Sequence, residues 1–252
     1  MTAGRAIAIA ATLLAGGLLA AMPARPAEEL VADLSEHLIA ITTGFTGTEV
    51  VMFGATEGSG DVVIIVRGPL SDATVRRKAR VAGIWVNRES MSFTNVPSYY
   101  ALASSRPVDE IASPATLELH EIGFDHLKLA VDSGEVNPTE VPFFRSALIR
   151  EKQQLGLYAR QPGKVAFLGT RLFRANFDFP ADVPTGSYLA EVLLLRDGQV
   201  ASAQTTPLVI SKIGVGATIF DFGHQRGAYY GAIAILVALM AGWIAYLAFR
   251  RG

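Results

Sequence analysis

The sequence predicts a mainly β protein: an immunoglobulin-like β-sandwich with a helical insertion near residues 107–155, plus one C-terminal transmembrane helix. Three observations predict it. Val/Ile-rich runs bounded by Gly and Pro fill the first and last thirds of the body, which is the strand pattern of a sandwich. From Pro107 to Leu155 these runs give way to helix-compatible sequence. Finally, Ala228–Phe249 carries no charge and at 1.5 Å per residue is long enough for a hydrocarbon core of about 30 Å.

Taken in order, the chain begins with one charge, Arg5, then an uncharged Ala/Leu/Ile-rich run from Ala6 to Ala24 and small residues up to Ala27. That order reads as a secretory signal peptide over residues 1–27. His37–Thr42, Thr48–Gly54 and Asp61–Arg67 follow as strands, separated by a turn at Gly44–Gly47 and another at Gly58-Ser59-Gly60. Gly68-Pro69 ends the third. Arg80–Asn87 and Met91–Val96 read as a further pair. In the insertion, Pro114–Val131 reads as a weak helix interrupted by Gly123. A second helix has Thr139 as its N-cap, Pro142 where a missing N–H does no harm, and Phe144 and Leu148 on one face.

The last third returns to strands. Arg171–Phe179 alternates, with Phe173, Ala175, Phe177 and Phe179 facing one way and Arg174, Asn176 and Asp178 the other, a half-buried strand. Ser187–Arg196 is apolar on both faces and so is expected at the centre of a sheet. Asp197-Gly198 is a type I′ hairpin signal into Gln199–Thr205. In Asp182–Tyr188, a Gly stands two before a Tyr at a strand start. This is either a turn before an ordinary Tyr or a tyrosine corner, whose hydroxyl ties a loop across the sheet end.

The expected organisation is therefore a signal peptide (1–27), a periplasmic body (28–226), a membrane helix (228–249) and a cytoplasmic tail (250–252). Tyr229 and Tyr230 flank one end of the span, Trp243, Tyr246 and Phe249 the other, and Arg250 and Arg251 place the C-terminus in the cytoplasm. The location expected is the inner membrane, single pass, with the N-terminus in the periplasm. Ala234, Ala238 and Gly242 recur every four residues, a spacing that lets helices approach and allows a homodimer.

Composition narrows function. The 252 residues are 50% hydrophobic with a formal charge of −1 and no Cys. A basic nucleic-acid binder, disulfides, Cys-ligated metals and a Cys nucleophile are excluded. No Gly-x-Ser-x-Gly elbow occurs, and no catalytic residue, cofactor site or metal site is assigned. His120 and His126, beside Glu118, Glu121 and Asp125, are the ligand types zinc takes. Six helical residues leave the two His about 120° apart rather than on one face, while the three carboxylates share a stripe. His37 reads as a rim residue, His224 as lying at headgroup level, and Met52 and Met91 as core. Arg76-Arg77-Lys78 with Arg80 suits either anionic headgroups or the protection of an edge strand, with a cation–π contact to Trp85 also open.

The segments ADLSEHLIAITTGFTGTEVVMFG, DVVIIVRGP, KARVAGIWVN, VPSYYALASSRP and PTGSYLAEVLLLRDG, together with the C-terminal span, cover nearly the whole chain. In these the sequence resembles the alphaproteobacterial putative transmembrane protein family. The resemblance implies a membrane protein of unknown function and brings no catalytic residue. The expected role is a binding or accessory module for an envelope or membrane protein, such as a transporter. The alternatives are an envelope enzyme with carboxylates assembled by folding, or a metal-binding sensor or chaperone using His120 and His126.

Overall fold

A computed structural model describes residues 30–81, 83–132, 138–213 and 227–249. The signal-peptide segment, the tail 250–252 and His224 lie outside the described residues. The protein is mainly β, with several sheets and some helices. Its strands are β1 (Leu30–Leu34), β2 (Leu38–Ile41), β3 (Gly47–Thr56), β4 (Asp61–Arg67), β5 (Leu70–Val81), β6 (Ile84–Pro97), β7 (Tyr100–Ser104), β8 (Ala130–Val131), β9 (Gly163–Lys164), β10 (Ala166–Leu168), β11 (Leu172–Pro180), β12 (Gly186–Arg196) and β13 (Gln199–Lys212). The helices are α1 (Val108–Ile111), α2 (Pro114–Leu119), α3 (Val141–Gln154) and α4 (Gly227–Phe249), with single 3-10 turns at Phe124–His126 and Pro138–Glu140.

Two sheets face each other across the main core. One has the order β1-β3-β11-β10, the other β2-β13-β12-β4-β7-β9. Alternation decides what enters: Phe173, Ala175, Phe177 and Phe179 of β11 point inward with Val50 and Met52 of β3, against Val62, Ile64 and Val66 of β4 and Val192 and Leu194 of β12. The six-stranded sheet is buried on its other face too. There Val63, Ile65, Leu102, Leu193 and Leu195 meet Ile111, Leu117, Ile122 and Leu127 of the insertion. This is why β4 and β12 read as unbroken apolar runs. The Asp197-Gly198 turn has φ of 52° and 80°, as a type I′ turn requires.

β5 and β6 form a long antiparallel hairpin inserted between the neighbouring strands β4 and β7. Val75, Met91, Phe93 and Val96 bury one of its faces against Phe144, Ala147 and Leu148 of α3. Here the expectations need correction. Arg80–Asn87 is not a strand: Val81 pairs with Ile84, so the segment straddles the hairpin's turn. Leu30–Leu34, Leu70–Val81 and Tyr100–Ser104 are strands the pattern did not reveal. Pro114–Val131 is helical only to Leu119, because the chain turns at Glu121 and Gly123, both of positive φ (51° and 88°). Thr139 lies in a 3-10 turn, and the N-cap of α3 is Glu140, with no side-chain capping bond.

α4 runs 23 residues. Its described side chains, 234–246, span about 20 Å at 1.5 Å per residue and do not by themselves make a run long and apolar enough to cross a membrane.

Candidate functional site

The His/acid segment does not assemble as one site. His120 closes α2, and its Nδ1 lies 3.0 Å from Glu191 Oε1 on β12. Glu191 Oε2 accepts from Arg67 Nη1 at 2.7 Å, and Arg67 Nη2 also donates to the His120 carbonyl. All three side chains are about one-fifth exposed. Arg67 ends β4 and stands beside Leu189 of β12, so the trio ties the insertion to the sheet. His126 lines a separate cavity of about 210 Å³ with Tyr100, Phe124 and Asp125. Glu118, Glu121 and Asp125 share no helix face, since α2 stops before two of them. Among the described residues no group of three His, Asp or Glu could hold a metal ion. Next to the trio, the Tyr100 hydroxyl donates to Glu121 O and accepts from Gly123 N, both at 2.8 Å. Burial pushes its phenol up to about 12, so it stays a neutral strut.

A charged cleft of about 450 Å³ lies at the opposite end of β4 and β12 and is lined by Asp61, Arg106, Glu110, Arg196 and Asp197. Asp61 accepts from Arg106 Nε and from Ser105 Oγ, each at 2.9 Å. The Arg106 hydrogen bond, only partly offset by burial, holds its carboxyl below the usual range. That is the wrong direction for a general acid, which needs a raised value. Arg196 is spent on the turn, donating from Nε to Ser59 O at 2.9 Å, so Gly58-Ser59-Gly60 acts as a turn.

The outer face of the four-stranded sheet is different in kind. Val31, Phe53, Leu168, Leu172 and Ala55 line an almost wholly apolar groove of about 400 Å³. Val31, Phe53, Leu168 and Leu172 are each about half exposed. The outward face of such a sheet ordinarily carries polar residues. Gly54 also lines it, and a Cβ there would collide with Val31 O and the ring of the core residue Phe173. Sequence reading missed this site, since alternation marks which residues share a face and not what covers it.

The basic run falls on β5, at the edge of its three-stranded sheet. Arg77 is engaged by Glu89 and Glu140 and lies over the rings of Phe143 and Phe144, 5.3 and 5.8 Å from their centroids. The cation–π partners are thus the phenylalanines of α3. His37 pairs with Asp33 at 3.2 Å on the surface, and Met52 and Met91 are core residues.

The fold defines the class only as a mainly β protein of several sheets with some helices. Over residues 29–251 the chain matches the alphaproteobacterial family described as "Putative transmembrane protein (Alph_Pro_TM)", and it belongs to that family. No curated protein matches it.

Proposed function

We propose that the protein is a single-pass inner-membrane protein whose periplasmic body, residues 28–226, is a binding or accessory module for another envelope or membrane protein. Residues 1–27 export it, α4 anchors it, and Arg250 and Arg251 remain in the cytoplasm. Strand order supports an immunoglobulin-like reading of the body: β1-β3-β11-β10 matches A-B-E-D, β13-β12-β4 matches G-F-C, and β7 takes the place of an added C′ strand. The hairpin then sits between C and C′, and the helical insertion between C′ and D. For α4, Ile235, Leu236, Val237, Leu239, Met240, Trp243 and Ile244 are each more than half exposed. A helix that is apolar all round needs an apolar medium.

The observation that carries the binding role is the groove on the outer sheet, because exposed apolar surface of this kind marks interaction sites. The test is in-cell photocrosslinking from position 53 with a purification tag after Gly252. The expected result is a stoichiometric envelope partner that is lost in the Phe53→Asp/Leu172→Asp variant while the protein stays in the membrane fraction. Recovery of the protein alone, across crosslinkers and detergents, overturns the role.

A further inference from the structure

The tip of the β5–β6 hairpin is used by neither the core nor the groove. Ile84, Trp85 and Val86 there are 67%, 66% and 40% exposed. The register puts Arg80 opposite Trp85 and Lys78 opposite Asn87, so Arg76, Lys78, Arg80 and Trp85 share one face of the ribbon. Ala79 and Val86 pair on the other face, with Ile84 beside them. Arg77, on that second face, is neutralised by Glu89 and Glu140. Among the described residues, no carboxylate pairs with Arg76, Lys78, Arg80 or Arg88, and the Arg80 guanidinium only closes the turn onto Gly83 O. Protection of an edge accounts for cations on β5. It does not account for the exposed Trp85 opposite Arg80, nor for the exposed Ile84 and Val86 on the ribbon's other face.

Topology places the root of this hairpin. The hairpin leaves the six-stranded sheet at Pro69. Pro69 packs against Gly186, whose added Cβ would lie 2.8 Å from the proline ring. Gly186 pairs with Ile210, near the end of β13, from which the chain leads to α4. The finger and the route to the apolar helix therefore leave from the same end of the sandwich.

We infer that the fingertip docks on an anionic lipid surface, that of the membrane anchoring the chain. Arg76, Lys78, Arg80 and Arg88 meet lipid phosphates, and Trp85, Ile84 and Val86 enter the headgroup region. Charge complementarity and the interfacial preference of Trp favour this occupant, as does the root of the hairpin lying beside the end of β13, the strand that precedes α4 in the chain. The inference rests on the anchored reading above.

The test uses the full chain carrying Trp243→Phe, which leaves Trp85 as the single Trp of the original two. It is reconstituted in vesicles of phosphatidylcholine, alone or mixed with phosphatidylglycerol, with bromine-labelled acyl chains as quencher. The expected result is blue-shifted, quenched Trp85 emission in the anionic vesicles, reversed by Arg76→Gln/Lys78→Gln/Arg80→Gln or by high salt, while the protein still floats with the vesicles after carbonate washing. Flotation with solvent-like Trp85 emission in both lipids overturns the fingertip and leaves the anchor standing. Failure to float overturns the anchor, and the same quenching with added vesicles then decides the fingertip alone. Shielding of Trp85 in native membranes but not in anionic vesicles assigns the tip to a protein and overturns the inference.

Discussion

Tyr188 is where a short sequence pattern became a bond. Its hydroxyl donates to Pro184 O at 2.6 Å, four residues upstream, as a tyrosine corner does. Tyr188→Phe removes that bond and should cost about 1.5 kcal/mol, measured as a lower urea midpoint for the full chain in non-ionic detergent. Glu191 carries more, since it faces both Arg67 and His120. Glu191→Ala leaves Arg67 poorly solvated and should destabilise by about 2–3 kcal/mol, whereas Arg67→Met/Glu191→Leu should recover most of this. If Glu191→Ala is neutral in the same assay, the trio does not hold the insertion. Asp61 supplies an acid limb. Its folded pKa is depressed, so the stabilisation is full above about pH 4 and lost as pH falls through the folded value. Asp61→Asn should lower stability at pH 7 and flatten the profile below about pH 4, where the difference from the parent protein disappears.

At the scale of elements, the hairpin and α3 share a small core of their own. Phe144, like Phe93, is among its largest fully buried members, 1% exposed. Phe144→Ala should cost about 3 kcal/mol, concentrated in that unit. Hydrogen exchange should accelerate across 70–97 while β12 stays protected, and equal acceleration in β12 would show that the two cores unfold together. The same division explains what the sequence concealed. Half of β5 is polar because the strand is an edge with only one covered face, so neither alternation nor an apolar run marks it. RVAGIWVN resembles a strand because its hydrophobic residues serve both sides of a tight turn. Tyr100–Ser104 is buried throughout, yet Ala and Ser give it little strand signal.

For the molecule as a whole, the anchoring reading places α4 in lipid, and a charge at its centre is the direct test. Leu236→Arg should raise the insertion cost by about 3 kcal/mol, seen as protein released by carbonate extraction. Full retention of that variant in the pellet would argue that something other than α4 holds the chain to the membrane.

The sequence by itself determined the elements whose burial follows one rule along the chain. β4 and β12, covered on both faces, read as apolar runs. β11, covered on one, reads as strict alternation. The uncharged Gly227–Phe249 needs no partner strand to declare itself. Tertiary structure alone decided which residues meet across long separations. Glu191 and Arg67 lie 124 positions apart, and Val31, Phe53 and Leu172 come from three strands to make one groove. Such meetings depend on strand order and register, which local periodicity does not encode.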